Sequence, residues 1–231
     1  AQTDVFFSRR IGLTNDILGG GRLTGQAGPF SIGFLSLQTE DDDALGLSGA
    51  NNTVLRLRGD VGPRATVGGL LTSQQSERSY NRVAGVDLRY RFFSSSGLNV
   101  WLADTWTKGR PGSGTGAAYA GLTLRNDRFS AGAEYTDIGE AFDPALGFVQ
   151  RRDMVRRNGS LGWTPRFEGS SWARQLSLTL RGNLIDGQDG VRQSDEAVFQ
   201  AGLRFQNGNY VLVGLTHEWE RLGEPFRIRP D

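Results

Sequence analysis

The chain has 231 residues, with 26 lysines and arginines against 25 aspartates and glutamates, and it has no cysteine. A net charge of +1 excludes a polycationic nucleic-acid-binding protein, and the absence of cysteine excludes disulfide bonds and thiolate chemistry. The mean hydropathy is −0.39, and no apolar run approaches the roughly 18 residues of a spanning helix, which excludes a helical membrane protein.

The chain opens with a short apolar and basic segment. Its residues 5–12 read Val-Phe-Phe-Ser-Arg-Arg-Ile-Gly. This composition predicts either a first strand or a segment that lies inside a barrel. We therefore divide the chain into an N-terminal segment, residues 1–18, and one β-domain, residues 19–231.

Twelve segments of alternating hydrophobicity follow at a regular spacing, each close to the roughly 9–11 residues that a tilted membrane strand needs. They are 17–26, 30–39, 53–61, 65–73, 81–92, 98–107, 117–125, 129–137, 154–165, 175–185, 197–205 and 211–219. Glycine, with 33 residues, is about twice its average usage of roughly 7%. No segment with helical periodicity competes with this pattern.

Residues 81–92 show the alternation most clearly. Val86 and Leu88 fall on one parity, and Asp87 and Arg89 fall on the other. Successive side chains leave a strand on opposite faces, so one face is apolar and the other charged. In a soluble sandwich the apolar face meets a second sheet, whereas in a membrane barrel it meets lipid and the charged face meets a wet lumen.

The connections distinguish these two folds, because short turns alternate with long loops along the chain. Gly62-Pro63-Arg64 and Asn207-Gly208 are tight turns by composition. An outer-membrane barrel has short turns at one rim and long loops at the other. The sequence therefore predicts an antiparallel up-and-down transmembrane β-barrel with about twelve strands in this chain. Because the chain does not end on an aromatic strand, we expect it to be part of a larger barrel.

Aromatic residues lie at the ends of strands that adjoin the short turns, as in the girdle at a membrane interface. They are Phe30, Phe92, Phe93, Phe129, Phe167, Trp172, Phe205 and Tyr210. The alternative is that aromatic residues simply favour strands.

Charged residues fall on the parity opposite to the apolar one, and we predict that they line a hydrated lumen. They are Arg56, Arg58, Asp60, Asp87, Arg89, Arg91, Arg125, Glu134, Arg181 and Arg204. A cation on the lipid side would cost roughly 2–4 kcal/mol at the bilayer centre. Arginine predominates, so the lumen favours anionic or sugar-like solutes. The alternative is a mutually neutralised ladder that braces a plugged barrel.

Four blocks of sequence, residues 6–12, 17–25, 80–87 and 142–153, resemble the barrel part of a family of uncharacterised bacterial outer-membrane proteins. In that family a carbohydrate-binding-family-nine-like domain precedes the barrel. The resemblance implies a β-barrel in the outer membrane of a Gram-negative bacterium and implies no particular activity. The present sequence lacks the amino-terminal domain, so no sugar-binding residue is carried over.

The long loop after residue 137 is the most distinctive connection in this chain. Within it, Phe148, Arg151, Arg152 and Asp153 are candidates for a lumen constriction or a contact with a partner. The alternative is a packed loop with Phe148 buried.

The sequence gives little support for catalysis, calcium binding or phosphate binding. His217 is the only histidine, and catalysis would need a nucleophile, a base and an orienting group together. Asp41-Asp42-Asp43 and the 186–190 loop lack the spacing of a calcium loop, and the glycine-rich loop 112–116 has no lysine after it. We assign no cofactor, no metal and no catalytic residue, and we do not expect an enzyme.

Two functions remain open. The first is a porin-like channel or transport barrel for small polar, anionic or sugar-like solutes. The second is a structural or docking subunit of a cell-envelope complex, with a plugged lumen. In both, the partner is the lipid bilayer of the outer membrane, and the second adds an envelope protein complex.

Overall fold

The fold is all-β. A computed structural model describes residues 3–13, 15–41, 48–110 and 112–222, and in these ranges the one helical element is a 3-10 turn at Ser8–Arg10. The strands are β1 (Thr3–Asp4), β2 (Ile17–Ala27), β3 (Phe30–Thr39), β4 (Asn51–Val61), β5 (Ala65–Gln75), β6 (Tyr80–Phe93), β7 (Ser96–Thr107), β8 (Gly116–Arg125), β9 (Phe129–Ile138), β10 (Phe148–Val149), β11 (Met154–Trp163), β12 (Ala173–Asp186), β13 (Arg192–Phe205) and β14 (Tyr210–Glu220).

Twelve of these strands form one antiparallel sheet whose hydrogen-bonded neighbours follow chain order from β2 to β14, with β9 beside β11. The short strands β1 and β10 pair separately. Each predicted segment corresponds to a strand of the large sheet, which confirms the all-β, up-and-down prediction. Over the described ranges β2 and β14 stand at the two ends of this strand order. None of the helical structure described there has the length and apolarity to span a bilayer.

Contacts divide the chain into two compact units. Unit 1 comprises residues 1–122 and 135–154, and unit 2 comprises residues 123–134 and 155–231. Most tight turns of both units contain a glycine with positive φ, as at Gly62 (68°) and Gly208 (89°). Such angles strain any residue with a Cβ, so these glycines allow the short connections predicted from the sequence.

In unit 1 the strands present one apolar face to the outside. The register sets Ile32, Leu57, Gly69, Val86 and Leu102 side by side across β3 to β7. The large apolar side chains exposed on this face are Leu23, Phe30, Ile32, Phe34, Leu57, Val61, Val67, Leu71, Val86, Leu88, Leu102 and Trp106. No second sheet of unit 1 covers them in the described ranges, so this face is not the interior of a sandwich.

The opposite face of unit 1 is polar along much of its length and is covered at one end. There Ile11, Val54 and Leu146 form a small buried cluster, with Phe6 and Leu70 packed against it. Ile11 and Phe6 come from the N-terminal segment, and Leu146 comes from the loop 139–153. The sequence left open whether the N-terminal segment is a first strand or a segment inside a barrel. In the structure it forms the two-residue strand β1, which pairs with β10 of this loop, and the 3-10 turn at Ser8–Arg10.

Unit 2 repeats the division into two faces. Leu161, Leu180, Phe199 and Leu215 lie side by side across β11 to β14, and each is at least 40% exposed. Exposed side chains on the same face are Trp163, Val211, Val213 and Trp219. The other face carries small and polar residues, such as Thr179 and Gln200, which lie directly opposite each other. The period-two pattern in the sequence therefore predicts the apolar rows of both units.

Candidate functional site

In unit 1 the structure brings six of the predicted lumen residues onto the polar face of two strands. Arg56, Arg58 and Asp60 lie on β4, and Asp87, Arg89 and Arg91 lie on β6. The strand between them contributes Thr66, Gly68 and Leu70 to the same face. The structure thus groups these residues as expected, and their exposure to a lumen stays a prediction.

Arg56 and Asp87 form a two-pronged ion pair across β5. The two Arg56 guanidinium nitrogens donate to the two carboxylate oxygens of Asp87 at 2.5 and 3.0 Å. Gly68 lies beneath the pair, where a Cβ would come within 2.5 Å of Asp87 and 2.7 Å of Arg56. Both side chains are about one-third exposed, so the pair contributes at most roughly 1 kcal/mol of stability. Arg56–Asp87 is the one ion pair among these six residues.

Three of the other charged groups of this cluster bind neutral partners. The Arg89 Nε donates to the Asn99 side-chain oxygen at 3.1 Å, and Arg91 donates to the Pro63 carbonyl at 3.2 Å. Asp60 accepts a hydrogen bond of 2.8 Å from the Thr66 hydroxyl. The strands β2 to β7 add Arg22 to the polar face, so five arginines share it with two aspartates. This face is therefore electropositive.

The loop 139–153 is anchored on the polar face by Asn81. The Asn81 amide donates to the Asp143 carbonyl at 2.7 Å, and its oxygen accepts from the Ala145 backbone N–H at 2.9 Å. Phe142 is fully buried and Leu146 is 1% exposed. The N-terminal segment is held to the same loop, because Phe7 donates to the Leu146 carbonyl at 2.7 Å and Arg10 to the Gly147 carbonyl at 3.0 Å. We call residues 3–11 with residues 139–153 the plug.

One of the four loop candidates, Phe148, is not buried as the packed-loop alternative required. The packed loop was expected to bury Phe148, but this side chain is 42% exposed and contacts Phe7, while Phe142 and Leu146 fill the core. Arg152 pairs with Asp143, which also pairs with Arg110 at 2.7 Å. The loop is thus packed through different apolar residues, and contact with a partner stays a prediction.

Arg151 and Asp153 are the sequence neighbours of Arg152. Asp153 is the one non-glycine residue in the described ranges with positive φ, at 54°. This conformation turns the chain from the loop into β11, where Met154 is fully buried.

Unit 2 contains the other four predicted lumen residues. Glu134 accepts a hydrogen bond of 2.9 Å from Asn158, and the Arg204 guanidinium lies 5.7 Å from the centre of the Tyr210 ring. Arg181 is exposed between Ser160 and Val198, and Arg125 ends β8. Whether these four residues form a neutralised ladder stays a prediction.

A charged cluster in unit 2 was not predicted from the sequence. Arg157 and Arg192 both pair with Asp186, which is 7% exposed, and Arg192 also lies 3.7 Å from Asp195. Asp195 lies 3.3 Å from the His217 ring nitrogen. The register places this cluster at one end of the apolar face. Its residues come from four strands, so their spacing in the sequence does not predict that they lie close together.

The other motifs take structural roles. Asp41 accepts a hydrogen bond from the Gly49 N–H at 2.8 Å, and Asp42 and Asp43 lie outside the described residues. In the glycine-rich loop, the Gly114 and Gly116 carbonyls accept hydrogen bonds from the plug residues Ala141 and Gly139 at 2.9 and 3.0 Å. No group of three acidic or histidine residues arranged for a metal occurs in the described ranges.

Comparison with protein-family models finds no matching family, and comparisons with curated proteins and with solved structures find no significant match.

Proposed function

We propose that the chain is an outer-membrane β-barrel that passes small polar and anionic solutes along its polar face. The observation that carries the proposal is the exposed apolar face of each unit. Soluble monomers rarely expose a continuous apolar patch of more than a few hundred Å². Lipid is the environment in which rows of exposed leucine, valine and phenylalanine side chains are stable.

Two further features support this assignment. Five of the eight aromatic residues predicted for an interfacial girdle are at least half exposed. They are Phe30, Phe93, Phe129, Trp172 and Tyr210. The resemblance to the uncharacterised outer-membrane family points to the same location. In this proposal His217 has no catalytic role, because its recorded partner is the carboxylate of Asp195 and the apolar face around it offers no hydroxyl nucleophile in the described residues.

The polar face gives the solute preference. Five arginines against two aspartates on the polar face of β2 to β7 attract anions and repel cations. We therefore expect single-channel steps in planar bilayers, with a reversal potential in a salt gradient that shows preference for chloride over potassium. A cation preference would contradict the proposed role of the arginines. Heat-denatured protein is the control for adventitious conductance.

A second function, the envelope docking subunit with a filled lumen, is favoured by the plug. Phe142 and Leu146 are buried against the polar face, and Asn81 fixes the loop by two hydrogen bonds. A silent wild-type protein that conducts only when the plug is displaced would identify this second function.

A further inference from the structure

Unit 1 contains a cavity of about 960 Å³ next to the plug. Its walls are the polar faces of β2 to β7 and part of the N-terminal segment. The polar side chains that line it include Arg22, Thr24, Arg58, Arg89 and Asn99. This volume accommodates a solute the size of a small sugar, since ligand cavities are commonly about 300–1,000 Å³.

The cavity has a net positive charge, because four arginines line it against two carboxylates. The arginines are Arg22, Arg56, Arg58 and Arg89, and the carboxylates are Asp4 and Asp87. Both terminal nitrogens of Arg56 donate to Asp87. Arg22, Arg58 and Arg89 have no carboxylate within 4.0 Å in the residues that the structure describes. Guanidinium groups bind phosphate through paired hydrogen bonds, so an uncompensated group of them favours that anion.

The same cavity has an aromatic wall. Trp101 lines it and stacks on Tyr119, with ring centres 6.2 Å apart and planes 14° apart. The stack holds the indole in place, and a fixed indole offers a flat apolar surface to the apolar face of a sugar ring. Asn99 and Thr24 add groups that can bind hydroxyls.

We propose that this cavity, the arginine pocket, binds a sugar-sized solute that carries a phosphate group. The phosphate lies between Arg58 and Arg22, and the ring lies against Trp101. This inference deepens the proposed function and rests on it for the physiological role, whereas binding itself does not require conduction.

The test is calorimetric binding to the full chain folded in detergent micelles, with glucose 6-phosphate, glucose and inorganic phosphate as probes. We expect glucose 6-phosphate to bind at least ten times more tightly than either of the others. Loss of one charged hydrogen-bond donor at this site weakens binding roughly 10- to 100-fold. Arg58→Gln and, separately, Arg22→Gln should each show that loss. Both side chains are exposed and lack an ion pair, so folding should persist.

Arg82→Gln is the matched control. Arg82 lies on the other face, where its guanidinium is 4.9 Å from the Tyr80 ring centre, and its loss removes the same charge. We expect binding within about twofold of wild type, because distant surface charges are screened over about 10 Å. Equal weakening by Arg82→Gln, equal binding of inorganic phosphate, or no saturable binding in wild type would each overturn the arginine pocket. Binding without channel steps would leave the pocket intact and contradict the transport function alone.

Discussion

Val86→Arg should lower the free energy of unfolding from lipid vesicles by roughly 2–4 kcal/mol. Val86 is 59% exposed in the middle row of the unit 1 apolar face, directly opposite Leu102. If this face contacts acyl chains, a guanidinium there must leave water. If the face contacts water, the same substitution changes stability by no more than about 0.5 kcal/mol. The two environments therefore predict clearly different results.

The measurement is urea unfolding of protein folded into phosphatidylcholine vesicles, followed by tryptophan fluorescence. Leu102→Arg should repeat the loss, because Leu102 is 52% exposed in the same row. Thr24→Arg is the control, since Thr24 is exposed on the polar face of β2. We expect Thr24→Arg to remain within about 0.5 kcal/mol of wild type. Equal losses for all three variants would argue against lipid contact at the apolar face.

Leu146→Asp should displace the plug and increase the conductance of single channels. Leu146 is 1% exposed and contacts the cluster of Ile11 and Val54. An unpaired carboxylate in that position costs several kcal/mol, which exceeds the roughly 0.5–1.5 kcal/mol of each hydrogen bond from Asn81 that retains the loop. Movement of residue 146 out of this cluster is therefore favoured over burial of the charge.

Planar-bilayer recording of the same protein preparations measures this effect. Leu13→Asp is the matched control, because Leu13 is 67% exposed and its substitution adds the same charge near the N-terminal segment. We expect Leu13→Asp to conduct like wild type. If the steps of Leu146→Asp are unchanged while the variant remains folded, the plug does not obstruct the path of ions.

Strand positions and faces were predictable because a single local rule sets them. Residues 81–92 alternate in sequence, and in β6 the same residues alternate between an exposed apolar face and a charged face. Period two requires no knowledge of distant residues. The pairing of neighbouring strands followed from short turns, as at Gly62 and Gly208.

The contacts that form the plug were not predictable, because they join residues far apart in the chain. Asn81 binds Asp143 and Ala145, which lie 62 and 64 residues away. Hydrophobicity alone also does not show which side chains of the loop are buried. The packed-loop alternative had Phe148 buried, whereas in the structure Phe142 and Leu146 are buried. One sequence signal for an anchoring residue was present, because Asn81 is a polar residue at the start of β6, a strand that the alternation predicts clearly.

The charged cluster of unit 2 was missed for a related reason. Asp186 follows an apolar strand and precedes glycine-rich sequence, which is typical of a solvated loop. Its partners Arg157 and Arg192 lie on strands before and after it, and they meet it only through the sheet register. The arginine pocket likewise depends on Arg22, whose strand sequence is rich in glycine and gives a weak alternation signal.

The most direct test of a lipid-facing apolar surface is a spin-label scan of β6 in vesicles. The chain has no cysteine, so single cysteines can be introduced at residues 84–91 without altering any other position. We predict that labels at 84, 86, 88 and 90 are relaxed by oxygen, which concentrates in acyl chains. Labels at 85, 87, 89 and 91 should be relaxed by a water-soluble nickel chelate. Equal access of the nickel chelate to both sets would contradict a lipid-facing apolar surface, and with it the barrel in the outer membrane.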